Sequence, residues 1–373
     1  MAGHVVVAPD KFKRSLPAAA VAAHLGAGLR RAVPGLEIHV APVADGGDGT
    51  VEAAVAGGFA RVAVRAADPL GAAVDAAIAV RADTAVVEMA QASGLHRLTS
   101  AEPLRASSFG TGELIRCALD AGSATIILGV GGSASTDGGA GMLEALGARL
   151  SYRDGSGSGR GGGALRNLQS IDFSGLDPRI HHTEFIIASD VDNPLLGPDG
   201  AAQVFGPQKG ATTDQVSLLA EGLRHWAGLV AAATGRDYSA EPGAGAAGGV
   251  GFAAMAGLGA SARPGIELLL EMTGFAQLLS GARLVLTGEG SLDQQSLRGK
   301  APVGVARAAA TRGVTTVAVA GVTTLSARDL CDAGFAATYT LAELEPNLAR
   351  SMTDAGPLLE RIGERIGHDW LSE

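Results

Sequence analysis

The residues best equipped for chemistry in this chain stand in short loops of glycine, acid and lysine. Pro9-Asp10-Lys11-Phe12-Lys13-Arg14-Ser15 sets one carboxylate and three cations just before a helix start, a grip suited to a carboxylate or a phosphate. Ala44-Asp45-Gly46-Gly47-Asp48-Gly49-Thr50 joins glycines, which let a ligand approach backbone amides, to acids able to hold Mg2+ or take a hydroxyl proton. Gly129-Val130-Gly131-Gly132-Ser133-Ala134-Ser135-Thr136-Asp137-Gly138-Gly139 offers amides and hydroxyls as an anion nest; lacking a terminal Lys-Ser/Thr, it is no Walker loop. Ser189-Asp190-Val191-Asp192-Asn193-Pro194 and Gly206-Pro207-Gln208-Lys209-Gly210 follow, and then Thr287-Gly288-Glu289-Gly290-Ser291-Leu292-Asp293 with Gly299-Lys300. Many carboxylates beside few cations suit metal–nucleotide chemistry, in which the ion itself brings positive charge to the phosphates.

The choice of cation is informative. Of 29 Lys and Arg residues only four are lysine (Lys11, Lys13, Lys209 and Lys300), and all four lie in these punctuated segments, as expected where a compact ammonium is needed. A net charge of −9 argues against nucleic acid and against an anionic membrane surface, both of which reward basic proteins. No apolar run approaches the ~20 residues that span a bilayer, and the start of the chain reads as a first strand and not as a signal peptide, so the expected location is the cytoplasm. Cys117 and Cys331 cannot build a disulfide framework; each stands in an apolar helical pattern that predicts a small buried residue.

The elements that must position these loops alternate between strand and helix, which predicts an α/β chain, and its 373 residues predict two domains. His4–Ala8 is a strand, followed by a helix to about Ala32 with Ser15 as N-cap and Pro17 in the first turn. Leu36–Val43 is the next strand, and Thr50 opens another helix. Arg61–Arg65, Val74–Val80 and Ala85–Met89 form an antiparallel excursion with a turn at Asp68–Gly71. Ala124–Val130 is a buried strand, Glu184–Ser189 is a strand ending in acid, and the run from Asp154 to Gly163 is a mobile loop or lid. Thr213–Thr234 is the clearest amphipathic helix, with Val216, Leu219, Leu223 and Trp226 on its packing face. Leu284–Leu286, Thr315–Ala320 and Ala336–Tyr339 complete the strands in the manner of a parallel sheet.

Two look-alikes carry less weight. Gly243-Ala-Gly245-Ala-Ala-Gly248 spells a dinucleotide fingerprint but follows polar residues and no buried strand. His181-His182 beside Glu184 resembles a metal pair, yet neighbours on a strand point to opposite faces.

At the loops named above the sequence resembles the bacterial glycerate kinase family, which phosphorylates glycerate with ATP and includes the glycerate 2-kinases. The matching blocks are Ala8–Lys13, Pro42–Thr50, Phe109–Glu113, Gly131–Ser133 through Asp137–Gly139, Asp190–Pro194, Val204–Gly210, Gly245–Gly251, Thr287–Gly290 and Gly299-Lys300, in order along most of the chain. The resemblance implies a two-domain α/β fold, one domain flavodoxin-like and one likened to restriction-endonuclease folds, one inserted into the other, with the active site in the cleft between them. Residues 1–60 with 281–373 are the expected discontinuous domain and 61–280 the inserted one. It implies ATP and Mg2+ as cofactors, D-glycerate as substrate, and 2-phosphoglycerate in preference to 3-phosphoglycerate as product.

On this reading Asp190, Lys11, Asp45 and Asp48 are the catalytic candidates, Asp190 the first choice as the group that orients or deprotonates the hydroxyl. Asp10, Lys13, Lys209, Ser107, Phe109, Gly110 and Thr111 become substrate-binding candidates. Gly131, Gly132, Ser133, Asp137, Gly288, Gly290 and Lys300 become nucleotide-binding ones, and Glu289 and Asp293 the Mg2+ ligands. Arg14 departs from the family's usual glycine, and Thr136 from a common asparagine. The competing readings are an NAD(P)-dependent hydroxy-acid dehydrogenase, tested by NAD(P)H absorbance, and a glycerate-binding protein without catalysis. A homo-oligomer stays open.

Overall fold

The strand expected at the start of the chain is His4–Pro9, and its side chains divide between two cores. Val5 and Val7 pack with Leu25, Leu29, Leu359 and Ile362 on one face; Val6 and Ala8 pack with Leu269, Val285 and Val305 on the other. A strand buried on both faces belongs in the interior of a sheet covered by helices on each side. The structure, a computed structural model that describes residues 3–153 and 159–372, builds that sheet from five parallel strands. Their order is Ala337–Thr340, Thr316–Thr323, Ala282–Leu292, His4–Pro9, Ile38–Val40. Counted in chain order these are strands 2-1-3-4-5, the flavodoxin-type doubly wound arrangement. The direction of winding reverses between His4–Pro9 and Ala282–Leu292, which leaves a crevice outside their C-terminal ends. The sheet belongs to a unit made of Met1–Asp45, Glu52–Gly58 and Ile266–Glu373.

Helix Ala18–Ala32 covers one face of this sheet and lies against Ala355–Trp370. The two backbones meet where neither helix carries a side chain: a Cβ on Gly28 would strike the Glu360 carbonyl, and one on Gly363 the Leu25 carbonyl. Helix Ala301–Ala310 covers the opposite face.

A second unit comprises Gly46–Val51 and Phe59–Gly265. Its six-stranded sheet runs Ser261–Arg263, Glu184–Ala188, Thr125–Gly129, Thr84–Glu88, Ala73–Arg81, Ala60–Ala67. The first four strands are parallel and the last two antiparallel. The antiparallel part closes through the expected turn, where the Asp68 carboxylate accepts from the Leu70 and Ala72 amides at 2.8 and 2.9 Å. Helix Thr213–Thr234 begins with a capping box between Thr212 and Gln215 and ends on left-handed Gly235. Leu219, Leu223 and Trp226 are fully buried beneath it, and the Trp226 indole donates to the Gly138 carbonyl at 2.9 Å.

Three expectations need correction. Ser15 does not cap the first helix: its hydroxyl donates to the Met352 carbonyl at 2.7 Å, and Pro17 occupies the cap position. Cys331 is exposed, because its short helix Ala327–Asp332 turns that position outward. The second strand is shorter than Leu36–Val43, covering Ile38–Val40. Of the Asp154–Gly163 run, residues 154–158 lie outside the described residues. Among the described residues no helix is long and apolar enough to cross a membrane.

Candidate functional site

In the first unit, the loops after three neighbouring strands line one pocket of about 390 Å3. Asp10, Lys11 and Lys13 follow His4–Pro9; Asp45 follows Ile38–Val40; Glu289, Gly290 and Asp293 end or follow Ala282–Leu292, with Lys300 opening the next helix. These residues border the crevice where the winding reverses, the usual ligand position in such sheets. Backbone geometry holds them there. The Asp10 amide donates to the Gly288 carbonyl at 2.8 Å, and the Lys11 amide to the Asp10 carboxylate at 2.6 Å. Gly288 packs against the Val319 backbone, where no Cβ fits, and Gly290 faces the Phe12–Lys13 backbone. Glycine is needed at 288 for close strand packing, and at 290 it keeps the pocket wall low.

The pocket is electrostatically loaded. Burial pushes the Asp10 carboxyl up to about 6, against the pull of Lys11 and with a push from Asp45. Burial pushes Glu289 up to about 7; Ser296 and Lys300 oppose the shift, and Asp10 and Asp45 add to it. One Glu289 oxygen, Oε1, is buried with no hydrogen-bond partner. Lys11 Nζ stands 3.5 Å from Asp10 and Lys300 Nζ donates to Gln295 at 3.3 Å. Asp293 uses Oδ1 to accept from the Gln295 and Ser296 amides at 2.8 and 3.3 Å. Among the described residues no cluster of three or more His, Cys, Asp or Glu side chains is close enough to cage a metal. A divalent cation here would therefore take one or two carboxylates and complete its shell with phosphate and water, as Mg2+ does in nucleotide sites.

The second unit brings three of the glycine loops together over its parallel strands. The Gly131 amide donates to the Gly46 carbonyl at 3.0 Å, and a Cβ on Gly46 would strike the Ala188 carbonyl. Glu88, buried at a strand end, accepts from the Gly49 and Val51 amides, each at 3.1 Å. Gly131 and Ser133 are half-exposed and Gly132 is exposed, so the corner is open to a ligand. Beside it the Asp48 Oδ1 is buried without a hydrogen-bond partner. Lys209 is 3% exposed and donates to Ser133 Oγ at 2.8 Å and to the Ser135 carbonyl at 2.5 Å; burial brings its ammonium down to about 7, opposed by the Asp137 charge. Asp190 is exposed, and the Gly265 amide donates to it at 3.2 Å.

The remaining candidates are built into the packing of this unit. Asp137 is fully buried and accepts from the Ser108 amide and hydroxyl at 2.8 and 2.9 Å, the Gly139 amide at 3.1 Å and the Ser107 hydroxyl at 3.3 Å. Thr111 is buried with its hydroxyl on Ser93 at 2.9 Å, Gly110 lies where a Cβ would meet the Ala67 carbonyl, and the Phe109 ring carries the Arg160 guanidinium at 3.5 Å. The hydroxyls of Ser135 and Thr136 are buried without hydrogen-bond partners. Sequence reasoning missed Glu88, whose signal was an acid at the end of the apolar run Val86-Val87, and the aliphatic pocket residues Val322, Leu341, Leu348 and Met352, which read as ordinary core. Gly243–Gly248 follows no strand, so the dinucleotide fingerprint lacks its βαβ setting.

The profile of the glycerate kinase family matches residues 5–371. The chain is 44% identical over 367 residues to a glycerate kinase of Halalkalibacterium halodurans, covering 97% of each sequence. It is 45% identical over 323 residues to a glycerate 2-kinase of Escherichia coli K12, covering 85% of this chain and 84% of that protein. A crystal structure of a protein assigned as glycerate kinase 2 from Salmonella typhimurium LT2 superposes with a TM-score of 0.83 at 41% identity, over 99% of this chain and 98% of that one.

Proposed function

This chain belongs to the glycerate kinase family, and from that premise we propose that it transfers the γ-phosphoryl group of ATP to the 2-hydroxyl of D-glycerate, yielding 2-phosphoglycerate and ADP. The observation that carries the reading is the meeting of Asp10, Lys11, Lys13, Glu289, Asp293 and Lys300 in one pocket at the reversal point of a doubly wound sheet. Phosphoryl transfer asks a protein for positioning and for charge, and little covalent chemistry. The pocket offers both.

In this proposal Lys11, Lys13 and Lys209 clamp the glycerate carboxylate and the ATP phosphates, Lys300 adds charge at the phosphates, and the corner Gly131–Ser133, through its Gly132 and Ser133 amides, cradles phosphate. The buried, partnerless Oε1 of Glu289 and its raised carboxyl fit a divalent cation, because a bound cation would favour the ionised form that burial disfavours. Glu289 and Asp293 would hold Mg2+, which when bound supplies positive charge to the phosphate oxygens. Asp190, with Asp45 and Asp48 as the other candidate acids, orients the 2-hydroxyl and takes its proton as that oxygen bonds to the γ-phosphorus and the bond to the ADP oxygen breaks. The cytoplasm is the proposed location, with glycerate and nucleotide as partners.

ADP release tests the reading. With MgATP present, ADP should form only when D-glycerate is added, and added NAD(P)H should keep its absorbance. Glycerate binding without ADP would sink the kinase and leave a binding protein.

A further inference from the structure

The pocket of the first unit extends further than phosphates and magnesium need. Its lining sorts by strand. The charged groups follow Ile38–Val40, His4–Pro9 and Ala282–Leu292, whereas Val322 lies at the end of Thr316–Thr323, Leu341 starts the helix after Ala337–Thr340, and Leu348 and Met352 stand on the next helix. Since those strands lie side by side in that order, charge occupies one stretch of the sheet's C-terminal rim and aliphatic side chains the other. Strands are about 4.8 Å apart, so the three steps from His4–Pro9 to Ala337–Thr340 span roughly 14 Å. From Gly321 to Met352 no lining residue is charged, and the Met352 carbonyl is already engaged by Ser15.

Leu348 is 64% exposed, the most exposed large aliphatic side chain among the described residues. A lone exposed leucine means little in itself. Here it stands at the rim of a pocket beside three other aliphatic residues. That wall would be wasted on glycerate, a three-carbon acid with an oxygen on every carbon. Of the two substrates only the nucleotide has a flat, largely apolar body, and its phosphates need the lysines and acids at the other end.

We infer that Val322, Leu341, Leu348 and Met352 form the seat of the purine ring of the nucleoside triphosphate, with the phosphate chain running along the strand ends toward Lys300, Lys13 and Glu289. The inference rests on the ATP-dependent reading above and adds the residues that bind the base. Apolar contact and burial hold the ring there, and no charged group reads it.

Calorimetric binding of MgATP and of magnesium tripolyphosphate, which lacks the base, separates the two ends of the pocket. Leu348→Ser, at a position exposed enough to leave the fold intact, should weaken MgATP about five- to tenfold, with tripolyphosphate affinity and the KM for glycerate unchanged. Met352→Gln, similar in size and polar, should repeat the pattern. Equal losses for MgATP and tripolyphosphate, or no loss in either variant, would overturn the assignment. Should the wild-type chain bind MgATP with this base-dependent pattern yet release no ADP with glycerate, the kinase reading fails and the base seat stands.

Discussion

At the residue scale, two groups hold unfavourable states that substitution can relieve. Asp10 has its carboxyl raised from 3.8 to about 6, chiefly by burial. An acid whose pKa rises on folding binds more protons folded than unfolded, so it costs no stability below its unfolded value and an increasing amount as pH climbs through the interval to the folded value. Asp10→Asn should therefore stabilise the ligand-free protein at pH 8 by on the order of 3 kcal/mol at most, read as a higher thermal midpoint, and leave that midpoint nearly unchanged at pH 4. A destabilised variant at pH 8 would show that the carboxylate is held by more than its neighbours suggest. Arg14 is the second. Its φ of +63° lies in the left-handed region that glycine adopts freely, which would give a backbone reason for the glycine expected at this place. A side chain there costs about 1–2 kcal/mol, partly offset by the extra freedom glycine brings to the unfolded chain. Arg14→Gly should gain up to about 1 kcal/mol in a denaturation curve, and a loss would contradict the strain. The departure was readable from the letters; its conformational cause was not, because φ depends on how Phe12 and Leu16 pair across the loop.

At the element scale, the contact between Ala18–Ala32 and Ala355–Trp370 depends on which helix glycine faces which backbone. Gly28 and Gly26 lie on one helix, yet a Cβ on Gly28 would strike the Glu360 carbonyl while one on Gly26 would rest 3.5 Å from the Arg30 side chain. Gly26→Ala should stabilise by up to about 1 kcal/mol through helix propensity. Gly28→Ala should destabilise by about 1–3 kcal/mol, since the helices must separate to admit the methyl group. Denaturant midpoints decide it; equal effects from both would contradict the close approach. Such distinctions were beyond the sequence, which shows glycine at both positions and no partner. Strong local signals did carry through. Thr213–Thr234 carried an even apolar stripe, and the Asp68–Gly71 turn had proline, glycine and an acid between two alternating strands. Where signals were short-range and competing, they misled: Ser15 had the chemistry of a cap, but the Met352 carbonyl, far along the chain, took its hydroxyl. The antiparallel pair Arg149–Tyr152 and Leu168–Asp172 left no pattern strong enough to foresee.

At the scale of the whole molecule, the chemistry rests on loops that are scattered in sequence and gathered by sheet order. Asp10 and Glu289 are far apart along the chain but stand at the C-terminal ends of adjacent strands, and the placement of Ala282–Leu292 beside His4–Pro9 makes them neighbours in one pocket. The four rare lysines stood out by their setting in glycine- and acid-punctuated loops; that Lys11, Lys13 and Lys300 share one pocket, whereas Lys209 is buried against Ser133, was not legible. The loop blocks pointed to the family to which the chain belongs. The aliphatic wall escaped notice because leucine and methionine in a C-terminal helix look like core until the strand order puts them on a rim. The proposed reaction passes a phosphoryl group from ATP to the 2-hydroxyl of glycerate without a Walker loop. Incubation with D-glycerate and MgATP, followed by enolase alone, measures it. Phosphoenolpyruvate should form in proportion to ADP with enolase as the sole added enzyme. Phosphoenolpyruvate that appears only after phosphoglycerate mutase is also supplied, or ADP with none at all, would contradict it.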